Sequence, residues 1–368
     1  MRAAPNGDNK QVKTLHLIVD AARLETHEAG EALDRAAAIL RAGGLVALPT
    51  ETVYGLGANA LDRAAVERIF AAKSRPAWDP IIVHIASEAM LDGLVEEVPA
   101  AARRLMEQFW PGPLTLLLRR TAAVPDAVTA GRPLVGVRVP SHSVALELIR
   151  RAQVPVAAPS ANRFGHISPT TAQHVLDDLD GRIDAVVDAG PSPGGVESTV
   201  LDPSTMTIYR PGAVTAEQIR AVAGPVETFQ SAGGSGDMPA EALPSPGVGI
   251  RHYAPRARLV LVEVTKLDAP LAALSACLQA AVNDAAVQCE PGEQLGVMLP
   301  EGVARPAAIA EERVFLWGRW NAPEELAQRL YAGLRALDAA GCTVILCPLP
   351  AAEGIGAAIR DRLKKAGT

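Results

Sequence analysis

Lys73 and Arg75 place two cations one residue apart, downstream of a stretch in which an apolar run, 45–48, meets Pro49 and the polar segment Thr50-Glu51-Thr52. Closely spaced cations beside a strand end make a site for an anionic ligand, and Gly55 and Gly57 allow the backbone a tight turn or a close approach to it. The same cations would also suit the C-terminal end of a helix over 62–72, whose last carbonyls attract positive charge. Further polar groups recur in a similar setting: Arg138 in GVRVP, Ser160 and Asn162 in APSAN, Ser198 and Thr199 in GVEST, and Arg210 in YRPG. Each stands at the end of a predicted strand beside Pro or Gly, where α/β sheets form their ligand crevices. A turn residue with a local hydrogen bond explains any one of them; their recurrence favours a shared site. Arg138, set among Val135, Val137 and Val139, needs a partner if buried. His84 in IIVHI raises the same question, as a satisfied core histidine or a ligand contact. No GxxxxGK[ST] loop is present and Gly55-Leu56-Gly57 is not completed to GxGxxG, so a bound nucleotide needs another scaffold.

The elements that must position these groups are short. Leu33, Ala36, Ala37 and Leu40 follow helical spacing over 31–44, with Gly43-Gly44 as the stop. Apolar runs at 45–48, 81–85, 114–118, 135–139, 154–157, 183–187 and 199–201 read as strands with helical patterns between several of them, giving a mixed α/β domain. Ser168-Pro169 reads as an N-cap with proline at the first helical position, and Thr215-Ala216-Glu217-Gln218 as a capping box. Over 228–249 the chain turns to Ser, Gly and Pro with little to bury, the composition of a linker or mobile loop. Beyond it, apolar runs at 259–264, 295–299, 314–317 and 344–346 alternate with helical patterns near 270–286, 323–340 and 355–366. That is the pattern of a smaller, doubly wound, Rossmann-like domain with a largely parallel sheet. The reading is therefore an N-terminal extension and first strand over 1–28, a larger α/β domain over 29–227, a linker over 228–256, and a C-terminal α/β domain over 257–368.

A chain of 368 residues, 49% hydrophobic and 21% charged, has room for two cores. Its net charge of -6 argues against a broad nucleic-acid surface, which would be rich in Lys and Arg, and leaves a small anionic ligand as the better fit. The four cysteines show no CxxC spacing and the seven histidines no HExxH pair, so free thiols and no protein-held metal are expected. No run of about 18 apolar residues and no signal-peptide core is seen, so a cytoplasmic enzyme without a membrane partner is expected.

The ordered segments PTETVYGLG at 49–57, AKSRP at 72–76, DPIIVHI at 79–85, WPGPLT at 110–115, GVRVP at 136–140, APSAN at 158–162, GVESTV at 195–200, RPG at 210–212 and HYAP at 252–255 resemble those of the threonylcarbamoyl-AMP synthases. GIGAAIRDRL at 354–363 resembles the closing motif of their two-domain form. The resemblance implies a YrdC-like twisted mixed sheet with helices and a positively charged concave surface. It implies synthesis of threonylcarbamoyl-AMP from L-threonine, bicarbonate or CO2, and ATP carrying Mg2+, with release of pyrophosphate. The product would pass to a tRNA-modifying complex that acts beside the anticodon, and a weak tRNA contact is implied as well. Carried over by position, Thr50, His84, Arg138 and Ser198 would contact threonine. Arg75, Asp79, Ala158, Ser160, Asn162, Ser168 and Arg210 would contact the nucleotide, with Lys73 completing a KxR pair. His252 and Tyr253 would cover the site. Asp79 stands where Asn is common in the family, so its carboxylate would help hold magnesium or contact ribose or base. Ile250 stands where some members carry an aromatic residue.

In the mechanism this implies, the threonine amine captures CO2, and the resulting carbamate attacks the α-phosphorus of ATP as pyrophosphate leaves. Positioning and fixed positive charge from Lys73 and Arg75 would matter more than a strong base. A non-catalytic RNA-binding module and a different carbamoyl-transfer enzyme are the competing readings. The acidic balance counts against the first, and the lack of zinc-finger cysteine pairs against the second.

Overall fold

The computed structural model describes residues 13–229, 245, 253–264 and 271–367. Among these, eleven strands form one mixed sheet. From edge to edge its strands are Leu15–Ile18, Ala185–Asp188, Val46–Leu48, Gly55–Asn59, Val156–Ala157, Val83–His84, Leu134–Arg138, Leu114–Arg119, Thr199–Asp202, Thr207–Arg210 and Glu227–Thr228. Parallel and antiparallel pairings are mixed through it. Val46–Leu48 runs antiparallel to Gly55–Asn59, and Val83–His84 runs parallel to Leu134–Arg138.

Helices cover the sheet because their apolar residues fall on one side. His27–Arg41 begins at Thr26, whose side chain accepts from the Ala29 amide, and it buries Leu33, Ala36, Ala37 and Leu40 at helical spacing. Arg63–Lys73 is capped by Asp62 and ends at Ser74 in the left-handed conformation. Ala216–Ala223 carries the expected capping box, with both arms made between Thr215 and Gln218.

Two local expectations are corrected. Gly55 and Gly57 lie within a strand, where a Cβ on Gly57 would come within 2.8 Å of Val156 and 2.9 Å of Leu48; the glycine serves strand packing, not a turn. Ser168 does not cap a helix either. The helix is Ala172–Leu179, capped by Thr171, and the buried Ser168 is bonded elsewhere.

The second sheet has four parallel strands in the order Arg258–Glu263, Val344–Leu349, Leu295–Pro300 and Val314–Gly318. Leu274, Leu278 and Val282 of the helix Leu271–Gln288 pack on one face with Val262, Val297 and Leu346. Helices Pro323–Ala339 and Ile355–Gly367 pack on the other with Met298, Ile345 and Cys347. Covering both faces of a parallel sheet is the doubly wound arrangement.

The two sheets do not stand apart. Val53, Ile167 and Val196, from loops of the first unit, share a buried cluster with Leu326, Leu330, Tyr331, Ile359 and Leu363 of the helices on the second sheet. Gly195, at φ +73°, allows the closest approach: a Cβ there would lie 2.2 Å from the Ala327 carbonyl oxygen. The 228–249 linker lies almost wholly outside the described residues, as do His252 and Ile250.

Candidate active site

Strand register brings the first pair of site residues together. Val83–His84 and Leu134–Arg138 are parallel neighbours with His84 directly opposite Arg138, so an imidazole and a guanidinium stand side by side at the ends of two central strands. Both line one cleft. Thr50, Arg75, Ala158, Ser160, Ser198, Arg210 and Tyr253 line it too. The cleft is thus built from the ends of strands distant in sequence, as crevices in α/β sheets are.

Arg138 is buried, and its partner is Glu51, whose carboxylate lies 2.6 Å from Nη2. Nη1 donates to Thr52 Oγ1 at 3.1 Å. Thr50 donates from Oγ1 to the Val53 carbonyl at 2.6 Å, which closes the turn that carries both partners. Burial raises the Glu51 carboxyl pKa, but the adjacent Arg138 charge and hydrogen bond outweigh that and hold it below the usual value. Glu51 and Thr52 were not singled out from sequence, although they sit inside the PTET segment; nothing local shows that this turn folds against a strand more than eighty residues on.

His84 is a neutral imidazole. Burial, followed by the charge of Arg138, pushes its pKa down to about 3, and its Nδ1 has no hydrogen-bond partner among the described residues. Ser198 meets Thr115 with its Oγ at 2.8 Å. It also receives Arg210, which donates from Nε and Nη2 to the Ser198 carbonyl and from Nη2 to the Ser198 Oγ.

The cation pair is placed differently from expectation. Arg75 reaches the cleft, but Lys73 is not among the lining residues. Lys73 is buried, and its Nζ donates to the carbonyls of Ser160, at 2.5 Å, and Asn162. A cation at the end of one helix therefore ties down the APSAN loop. Burial first, and then the nearby charge of Arg75, push the lysine pKa well down.

Asp79, expected near magnesium, ribose or base, is buried with its Oδ2 on Arg75 Nη2 at 2.8 Å. Its charge is engaged in balancing the arginine. Asn162 donates from Nδ2 to the carbonyls of Arg163 and His166, which holds the loop rather than the cleft wall. Ser168 likewise lies outside the lining and donates to Glu197 Oε1 at 2.6 Å.

Glu197, inside GVEST, was also passed over in the sequence and lines the cleft. Its Oε2 accepts from Arg362 Nε at 2.8 Å and from the Tyr331 hydroxyl at 2.9 Å, both supplied by the second sheet's helices. Burial raises its pKa, yet the charges of Arg362 and Arg210 with hydrogen bonds from Arg362 and Ser168 bring it to about 2. Tyr253 is buried with its ring stacked on Tyr331, centroids 5.8 Å apart, and the Arg362 guanidinium 5.3 Å from its centre.

A cationic cleft at the strand ends of a mixed sheet, backed by a parallel α/β unit, defines the class, and comparison with known proteins matches two family models. Residues 38–212 match the family model described as "Telomere recombination", and residues 214–368 match "Threonylcarbamoyl-AMP synthase, C-terminal domain". The threonylcarbamoyl-AMP synthase of Pyrococcus abyssi is 42% identical over 90% of this chain and 92% of its own length; that of Bacillus subtilis is 41% identical over the same shares. The crystal structure of P. abyssi Sua5 complexed with L-threonine superposes with a TM-score of 0.85 at 38% identity, covering 96% of this chain and 98% of that one. The chain belongs to the threonylcarbamoyl-AMP synthase family.

Proposed function

We propose that this protein joins L-threonine, CO2 or bicarbonate, and MgATP into threonylcarbamoyl-AMP, releasing pyrophosphate, for modification of adenosine beside the anticodon of tRNA. The observation that carries this reading is the cleft itself, where a guanidinium fixed by Glu51 and Thr52 stands beside an uncharged imidazole, with Arg75 and Arg210 in the same wall. The match to a threonine-bound relative supports it.

In this reading Arg138 receives the threonine carboxylate, for which a planar guanidinium is better suited than an ammonium. His84 offers a neutral nitrogen to the amine or hydroxyl, and Thr50 and Ser198 complete that end. The unprotonated amine adds to CO2 and gives up a proton to solvent; the carbamate oxygen so formed attacks the α-phosphorus in line, and the bond to pyrophosphate breaks. Arg75 and Arg210 face the phosphate charge, while Ala158 and Ser160 supply wall along the nucleotide. Lys73, Asn162 and Ser168 act by holding these loops. Magnesium enters with the ATP phosphates as part of the substrate. Transfer of an adenylyl group makes the enzyme a nucleotidyltransferase. Selection against serine rests on one methyl group, worth about 1–3 kcal/mol in binding.

The test is pyrophosphate release from MgATP and bicarbonate with L-threonine, L-serine or no amino acid, with mass detection of the adenylate. Threonine-dependent release together with the mass of threonylcarbamoyl-AMP is expected. Release that ignores threonine would remove the synthase reading.

A further inference from the structure

Arg210 and Glu197 have opposite charges, stand in the same cleft wall and do not pair. Arg210 is 5% exposed, directs Nε and Nη2 to Ser198, and forms no ion pair among the described residues. Glu197 lies close enough for the Arg210 charge to act on it, yet its oxygens accept from Ser168, Tyr331 and Arg362 instead. A buried guanidinium beside a buried carboxylate is strongly drawn to it, so something must hold the two apart. The restraint comes from the second sheet. The Arg362 side chain is 0% exposed; besides Glu197 it donates to the Pro211 carbonyl at 3.0 Å, next to Arg210 in sequence, and lies under the Tyr253 ring. Arg362 is not among the cleft-lining residues, so it reaches the site through Glu197.

We propose that Arg362 is a positioning residue for ATP: by engaging Glu197 from the side away from the cleft, it keeps that carboxylate from capturing Arg210, whose charge is thereby left to phosphate oxygens. The C-terminal unit then sets the charge of the cleft as well as packing against it. This rests on the synthase reading, in which Arg210 meets the nucleotide. Without Arg362, Glu197 turns to Arg210 and adds a negative charge where phosphates must sit; without either charge, Arg210 is available again. A role confined to holding the two units together would lower stability without distinguishing ATP from threonine.

The experiment uses the full chain and measures MgATP and L-threonine binding by calorimetry, with steady-state KM for each substrate. Arg362→Met is expected to weaken ATP binding about tenfold or more while threonine binding changes less than about threefold. Glu197→Gln combined with Arg362→Met is expected to return ATP affinity to within about threefold of the wild type. Tyr331→Phe, which removes one donor from Glu197 and strands no charge, is the milder probe should Arg362→Met fail to fold; about two- to fivefold weaker ATP binding with threonine unchanged is expected. Unchanged ATP binding in both single variants, equal losses for the two substrates, or a double variant no better than Arg362→Met would each overturn the proposal. A wild type that releases no threonine-dependent pyrophosphate would instead bring down the synthase reading, and this inference with it.

Discussion

Arg138 shows how one residue links sequence to function, because a buried guanidinium is tolerable only with a partner and Glu51 supplies it. Arg138→Lys keeps the charge and loses the planar fork. We expect the threonine KM to rise roughly tenfold or more while that for ATP changes little; equal effects on both would contradict the assignment to the amino acid. Arg75 needs a different design, since Arg75→Ala alone would take away the guanidinium that lies 2.8 Å from the buried Asp79 carboxylate. The pair Arg75→Ala with Asp79→Asn removes both charges together and should lose about a hundredfold in adenylate formation, with a normal circular dichroism spectrum; full turnover would take Arg75 out of the mechanism. At this scale the sequence identified the cations but not their partners. Glu51 and Glu197 lie in segments that read as polar turns, and only the packing of those turns against distant elements makes them the counter-charges.

Among the elements, strand ends made the site legible and close approaches did not. Arg138 and Ser198 stand where strand patterns placed them, whereas the strand Thr207–Arg210 that carries Arg210 had no apolar run to announce it, and the capping box at Thr215 follows from local chemistry alone. Gly55 and Gly57 suggest a tight turn or a close approach, and they stand in the strand Gly55–Asn59 instead of a turn, because glycine also serves where a neighbour leaves no room for a side chain. Ser168 was read as a cap because its sequence permits one, but Glu197 offers it a buried partner. Gly195 carries an element-scale prediction. Its positive φ and its contact with the backbone of helix Pro323–Ala339 leave no space for a methyl group. Gly195→Ala should cost about 1–3 kcal/mol or more in urea unfolding, and an unchanged midpoint would mean that the two units do not meet there.

For the whole molecule, two buried groups in the cleft set an acid limit. His84 titrates at about 3 instead of 6.5, so between these values the unfolded chain takes up a proton that the folded one refuses, and stability falls as pH drops below about 6.5. Glu197, at about 2 instead of 4.5, contributes stability that is present above 4.5 and lost as pH falls toward 2. Urea midpoints should therefore decline from pH 7.5 to 5, and His84→Gln should make that decline shallower, with His174, which burial and the Arg335 charge push down to about 4, contributing to the remainder; a flat wild-type curve would argue against a buried neutral imidazole. The sequence by itself determined the α/β character, the strands and helices of the parallel C-terminal unit, and the cationic residues gathered at strand ends, because hydrophobic period, caps and turn chemistry act over a few residues. Tertiary structure alone decided that His84 faces Arg138, that Lys73 serves a loop and not the cleft, and that Arg362 and Tyr331 reach across to Glu197. Those outcomes depend on register between strands and on which buried charge finds which partner, and residues 165 positions apart leave no local trace of such a pairing.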